Sequence, residues 1–443
     1  MRKKIIITAV VLLSLLLLFI GFLEYRQYSS YKTPIYRNAD FILKINADAF
    51  IKSFIKAYGF NFREKIKKEE KKDSTESINT GIYPIANIFI YTIKEKKAST
   101  FFCTIPLTDE AGFKMFAGKK LGITFSTTNT ATAYDGKLTI ACSKEYAAIA
   151  FSEQKEEVIT ILTDLLNKRN LLAGSDDLIK KLKATRNHIA FATAKQTGSI
   201  EISGNEMLLH ATIDDTGNLI TPGRVLMRKI VPGDYLSLRL AMKPASFLFK
   251  KKYSIKEFDI DTDSLLHNFS GYIDMTISGF TNQVDTIVTY GYDDNFEKKE
   301  QRTVVAVQVP DIEITAKADP ALLNYLQRQN IATATQVINR DFFPLYKFTI
   351  KQDGPTLVLN TNEKAVKNWD ADTTPHFFEL EINLEKLRPY LDSSSIKKYT
   401  GDARYVSITG EKLPAKTQAT IDGRIHFESG ALKAIENIVR SFP

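Results

Sequence analysis

Cysteine occurs twice in 443 residues, histidine five times and tryptophan once. Two cysteines cannot build a structural zinc cluster of the thiolate-rich kind. The histidines, at positions 188, 210, 267, 376 and 426, stand far apart, and no H-E-x-x-H pair joins them. No metal role is expected of them. Glycine-rich phosphate loops of the P-loop and Rossmann kinds are missing, as is G-x-S-x-G, so nucleotide chemistry and the strained nucleophile elbow have no local support. The net charge is +9, but the basic excess is spread along the chain instead of forming a stripe interleaved with aromatics. Nucleic acid is therefore not an expected partner. These patterns point to no catalytic residue and no cofactor.

What the chain does have is an uncharged run from Ile5 to Leu23, IIITAVVLLSLLLLFIGFL. As a helix it would be about 28 Å long, near the roughly 30 Å of a bilayer's hydrocarbon core. Arg2, Lys3 and Lys4 precede it and Glu24 follows, a bias that keeps the N-terminus in the cytoplasm and exports the rest. A cleaved signal peptide has the same charge pattern. Its apolar region is shorter, however, and Gly21-Phe22-Leu23-Glu24-Tyr25 offers no small-residue cleavage site. The expectation is a cytoplasmic tail over 1–4, a transmembrane helix over 5–23 contacting membrane lipid, and a tyrosine-rich polar tether over 24–37. A single-pass protein of a bacterial inner membrane follows, its bulk extracytoplasmic.

Beyond the tether the periodicities predict an α+β fold: antiparallel-sheet modules with packed amphipathic helices. Phe41 to Ile45 alternates as a strand. Ala49 to Tyr58 carries apolar residues at helical spacing and ends at Gly59. Residues 63–77 are a charged, solvated run. Strands are expected over Asn87–Ile93 and Thr100–Leu107, then a helix from Asp109, and a hairpin turn at Asp135-Gly136. Ser152 is expected to cap an amphipathic helix whose stripe is Val158, Ile161, Leu162, Leu165 and Leu166, and a second helix follows Ser175. Met207, Leu209, Ala211 and Ile213 then mark the buried face of another strand.

Pro222-Gly223 and Pro232-Gly233 bracket a division between a first domain, 38–222, and a second, 233–443. The second half rebuilds the opening unit. Leu236 to Leu240, a break at Pro244 and Phe247–Phe249 repeat the order strand, break, helix, and Phe378 to Ile382 leads similarly into Leu384 and Leu387. Tyr272 to Gly279 also matches Arg404 to Gly410. An internal repeat explains this, and so does the independent recurrence of a common α+β pattern.

Three constellations carry candidate chemistry. Cys103 and Cys142 both alternate with apolar neighbours, and export would permit a disulfide between them; two buried free thiols fit the same pattern. Glu257, Asp259, Asp261 and Asp263 resemble the start of a calcium loop, but Ser264 and Ser270 stand where an EF-hand needs glycine and glutamate. Strand-edge acids with Asp263 as a helix cap explain them better. Ser53-Phe54-Ile55-Lys56 matches S-x-x-K, and Ser203-Gly204-Asn205 matches S-x-N, yet K-T-G is missing, the nearest sequence being Lys416-Thr417-Gln418.

The order of alternating strand, small-residue break, amphipathic helix and long meander in Ala39–Phe54, Phe101–Met115 and Tyr134–Ser143 resembles uncharacterised bacterial cell-envelope families of unknown function. That resemblance implies no enzymatic residues. The expected role is non-enzymatic, a binding or scaffold protein of the cell envelope with a protein or lipid partner. A carrier of lipid or another hydrophobic ligand is the first alternative and requires an apolar groove. A cell-wall-active serine hydrolase is the second and requires Ser53 and Lys56 to converge with another polar pair.

Overall fold

The computed structural model describes residues 21–59, 79–216, 220, 224–229, 233–242, 252–255, 258–292, 296–362, 371–390, 402–413 and 417–440. The chain divides into two compact units, Met1–Ala211 and Thr212–Pro443. That boundary lies upstream of the Pro222-Gly223 break.

In the first unit the strands are β1 (Ala39–Asn46), β2 (Asn87–Ile93), β3 (Thr100–Pro106), β4 (Thr130–Ala133), β5 (Leu138–Cys142), β6 (Tyr146–Ser152), β7 (Ile189–Thr193) and β8 (Gln196–Ser203), and β9 (Glu206–Asp214) runs on into the second unit. They pair in the order β4–β5–β6–β3–β2–β1–β7–β8, antiparallel at each step. β-Branched and aromatic residues favour strand in β1, β2 and β3. The turn between β4 and β5 takes left-handed backbone at Tyr134, Asp135 and Gly136.

The second unit holds β10 (Val225–Arg228), β11 (Leu236–Ala241), β12 (Lys252–Ile255), β13 (Phe258–Asp261), β14 (Phe269–Tyr292), β15 (Lys298–Ala318), β16 (Thr349–Asp353), β17 (Thr356–Asn360), β18 (Ala371–Thr374), β19 (His376–Asn383), β20 (Ala403–Lys412) and β21 (Gln418–Phe427). Its main sheet pairs β16–β17–β15–β14–β11–β19–β20–β21, again antiparallel throughout. β11 occupies the place of β1, β14 and β15 those of β2 and β3, β16 and β17 those of β5 and β6, and β19 and β20 those of β7 and β8. Seven strands of each unit thus pair in a common order.

Each unit has its own core. In the first, Ile42, Phe89, Tyr91, Ile93 and Phe102 on one sheet face meet Leu162, Leu165, Leu178, Ile179 and Leu182. These leucines and Ile179 come from the helices Ile159–Leu166 and Asp177–Lys183. Each such burial is worth roughly 1.5–3 kcal/mol. In the second, Phe258, Ile312, Leu322, Leu323, Phe348, Ile350 and Leu357 pack together around the helix Ala321–Arg328.

Alternation misleads at the centre of both sheets. In β1 the buried positions are Ala39, Ile42, Lys44 and Asn46, while Phe41, Leu43 and Ile45 are half-buried. In β11 they are Ser237, Arg239 and Ala241, and the three leucines are half-buried. A cation thus points into the covered face of the central strand in each unit.

The expected fold class needs correction. The units are predominantly antiparallel sheet, with short helices between strands, and among the described residues no helix is long and apolar enough to cross a membrane. Most of the span expected over 5–23 lies outside the described residues. Its last three residues are helical, in a stretch described over residues 21–30 whose inner face is polar. Arg26 pairs with Asp48 at 3.2 Å, Gln27 donates to Asn46 and Asp48, and Asn87 donates to Gln27 and Ser30. Ile35 is then buried in the core. Residues 24–37 are therefore packed against the first unit.

Candidate functional site

Among the described residues, β14 and β15 carry strongly exposed apolar side chains. Their inner parts belong to the sheet: β11 pairs with Tyr272–Ile277 and β17 with Glu313–Lys317. Beyond Gly279 and Asp311 the two strands, among the described residues, pair only with each other, out to Tyr292 opposite Lys298. At about 3.4 Å per residue, this ribbon extends roughly 44 Å. Thr286-Ile287-Val288-Thr289-Tyr290 and Thr303-Val304-Val305-Ala306-Val307 favour strand through β-branched and aromatic side chains.

An isolated two-stranded ribbon is marginal in water, and this one is fastened at its base. The Gln283 amide donates to the carbonyls of Lys347 and Thr361, both at 2.7 Å, and its oxygen accepts the Lys347 amide. Arg340 grips Asp285 with two bonds of 2.8 and 3.0 Å, which holds that carboxyl below its ordinary value. Phe280 stacks on Tyr390 with ring centres 3.7 Å apart.

Directly opposed residues share a face, so Val284, Thr286, Val288 and Tyr290 lie with Ala306, Val304, Arg302 and Glu300. On that face Val284 is 75% exposed and Val304 68%. Phe296, near the tip, is 86% exposed. Arg302 and Glu300 already pair with each other at 2.6 Å. The face is largely apolar, with the Arg302–Glu300 pair beside it and Lys298 lying 3.9 Å over the Tyr290 ring.

Ser53 does not meet the requirements of a nucleophile. Its Oγ lies 2.7 Å from His188 Nε2, while His188 Nδ1 accepts the Ile202 amide at 3.1 Å. The proton must then reside on Nε2, which donates to the serine and has no lone pair with which to deprotonate it. Burial lowers the pKa of His188, with Glu201 opposing. Lys56, the other half of S-x-x-K, is exposed. Ser203-Gly204-Asn205 forms the end of β8 and its left-handed turn.

The two cysteines are both free thiols. Cys103 sits opposite Ile149 of β6, and Cys142 opposite Ala147 of the same strand, so β6 runs between them. Two strand spacings place them about 9.6 Å apart or more, beyond disulfide reach. Burial pushes each thiol up to about 12. Alkylation of the native protein at neutral pH is expected to leave both cysteines unlabelled until denaturant is added; rapid labelling in native buffer would contradict this burial.

The acidic run divides between two structural jobs. Asp259 accepts from Ser254 across the β12–β13 hairpin, and Asp261, not Asp263, caps the helix Thr262–His267. Glu257 lies outside the described residues. Among the described residues no three ligating side chains converge on a metal-sized site. A shallow cleft of about 350 Å³ beside that helix is lined by Asp263, Ser264, His267, Asn268, Tyr325 and Arg328, and Ser264 is engaged there by Asp261.

Sequence reasoning missed the buried charges of the second unit. Across the sheet, Thr315, Asp274, Arg239 and Glu379 stand in register on β15, β14, β11 and β19. Arg239 binds Glu379 and the Arg228 carbonyl. Arg228, from β10, reaches Asp274 at 3.3 Å and Glu313 at 2.5 Å. Glu379 also takes His376 Nδ1 at 2.7 Å and the Thr374 hydroxyl at 2.9 Å. Burial pushes Asp274 up to about 6 against the pull of Arg228. Burial also lowers Arg239, whereas Glu313 and Asp274 more than offset it at Arg228. Charges interlocked in this way are structural, since each is committed to a protein partner.

No family model matches the chain, and no curated protein matches it. Among solved structures the chain is similar to TP0453 in its crystal form I, at 8% identity and a TM-score of 0.22, covering 74% of this chain and 90% of that one. A likeness that low carries no argument.

Proposed function

We propose that the chain is a non-enzymatic binding or scaffold protein whose partner contact is the ribbon of β14 and β15. The observation that supports this reading is the stripe of Val284, Val304, Val288 and Tyr290, held in water by a strand pair with no other sheet neighbour among the described residues. Contiguous exposed apolar surface with open strand edges is a binding surface or an aggregation hazard. The polar clusters inside the units work against hydrolysis: Ser53 faces a donating imidazole, and the arginines are paired with carboxylates. The hydrophobic-carrier reading is weaker, because helices fill the inner sheet face of the first unit.

Site-specific photocrosslinking tests the proposal. Val304 and Thr303 are neighbours on opposite faces of the ribbon. A photoreactive residue at 304 should give a discrete protein adduct, one at 303 should give several-fold less, and Val284→Ser with Val288→Ser should abolish the adduct. Equal adducts from both faces, or none from either, would remove the ribbon as the contact.

A further inference from the structure

A second surface, in the first unit, has a different chemistry. The helix of residues 21–30 turns Arg26, Gln27 and Ser30 inward, and Phe22, Tyr25 and Tyr28 outward. These three aromatics, at i, i+3 and i+6, are 55%, 60% and 61% exposed. They occupy one side of the helix and span about 9 Å along its axis.

Two basic side chains lie against them, and three more lie against Tyr31 or near Glu24. Lys32 lies over the Tyr28 ring at 4.8 Å and Arg26 over Phe22 at 5.9 Å. Lys183 stands 5.3 Å from the Tyr31 ring, Arg186 binds Glu24 at 2.7 Å, and Lys52 is close enough to bias the Glu24 charge. Against these five cations stand Glu24 and the buried Asp48, already paired with Arg186 and Arg26. Immediately before residue 21, the sequence runs from Ile5 to Ile20 without a charge.

We propose that the surface formed by Phe22, Tyr25, Tyr28, Lys32 and Lys183 seats on an anionic lipid headgroup layer. Tyrosine and phenylalanine favour the boundary between hydrocarbon and water, and lysines next to them are drawn to anionic headgroups. Because the polar contacts of Arg26, Gln27 and Asn87 lock the helix to β1 and β2, the seat fixes how the first unit is presented to the lipid. The proposal is independent of the ribbon in the second unit.

The test uses the full chain in vesicles of phosphatidylcholine with and without phosphatidylglycerol. Tyr28→Cys and Met115→Cys, both at exposed positions, are labelled with a fluorophore while the native thiols stay buried. A headgroup-attached quencher should quench the label at 28 several-fold more than that at 115. The difference should grow with phosphatidylglycerol, and Lys32→Glu with Lys183→Glu should remove that growth. Equal quenching at the two positions, no quenching, or quenching indifferent to phosphatidylglycerol would overturn the proposal.

Discussion

Replacing Arg239 with methionine is expected to destabilise the second unit by about 3–5 kcal/mol, read as a lower urea midpoint. The substitution keeps volume but strands Glu379, 8% exposed, with only His376 and Thr374 beside it, and removes a donor from the Arg228 carbonyl. Arg239→Met with Glu379→Leu should cost less than the single change, because no buried charge is then left alone. A double variant as unstable as the sum of the singles would mean the pair is not coupled. Protonation has a defined sign here. Asp274 is raised from 3.8 to about 6 in the fold, so its contribution is fully present below the unfolded value and is lost as pH rises through about 6. Asp274→Asn should remove the part of the stability gain seen between pH 7 and 5 that belongs to this group.

Lys44→Met is expected to weaken the first unit by about 2–4 kcal/mol. The Lys44 ammonium donates to the carbonyls of Leu182, at 2.7 Å, and Thr185, at 2.5 Å, and to the Tyr31 hydroxyl. Those carbonyls terminate the helix Asp177–Lys183 and its exit, where a cation also meets the negative end of the helix dipole. Methionine keeps the apolar stem and leaves the carbonyls unpaired. Burial, with Arg186 adding to it, lowers Lys44 from 10.5 to about 8. Between those values the unfolded chain holds a proton that the native one has released, so stability should rise with pH from about 8. The two thiols, raised from 9.0 to about 12, act in the opposite direction above pH 9. Tyr31, raised from 10.0 to about 12, joins them above pH 10. A maximum near pH 9 in the wild type, with its rising limb missing from Lys44→Met, is the expected pair of curves. Identical limbs in both proteins would exclude Lys44 as their cause.

Much of the first unit can be read from local pattern. Asn87–Ile93 is a strand over the bounds that alternation gives it, and the Asp135-Gly136 turn sits between β4 and β5. Ala47–Tyr58 is a helix capped by Asn46 and closed at Gly59. β6, Tyr146–Ser152, escapes the reading because its run of alanines, with Ala147, Ala148 and Ala150 all buried, has little strand signature. The outer halves of β14 and β15 escape for another reason: with neither face fully covered, no apolar–polar period is selected. Their β-branched density was the available signal. The buried cations were hidden most deeply. Leu236-Ser237-Leu238-Arg239-Leu240 reads as leucines inward and Arg239 in water. The fold sets Arg239 among Glu379, Asp274 and the Arg228 carbonyl, partners contributed from residues far along the chain. No local window contains them.

Hydrogen exchange of the full chain, alone and in unfractionated cell-envelope extract, bears most directly on the claim that function resides on the ribbon's surface. In the purified protein, amides of residues 286–292 and 298–305 should exchange orders of magnitude faster than those at the centres of β1 and β11, because among the described residues no further strand pairs with either edge there. In the extract the ribbon should slow while β1 and β11 stay unchanged. Slow exchange in the purified protein, or a ribbon indifferent to the extract, would contradict the account.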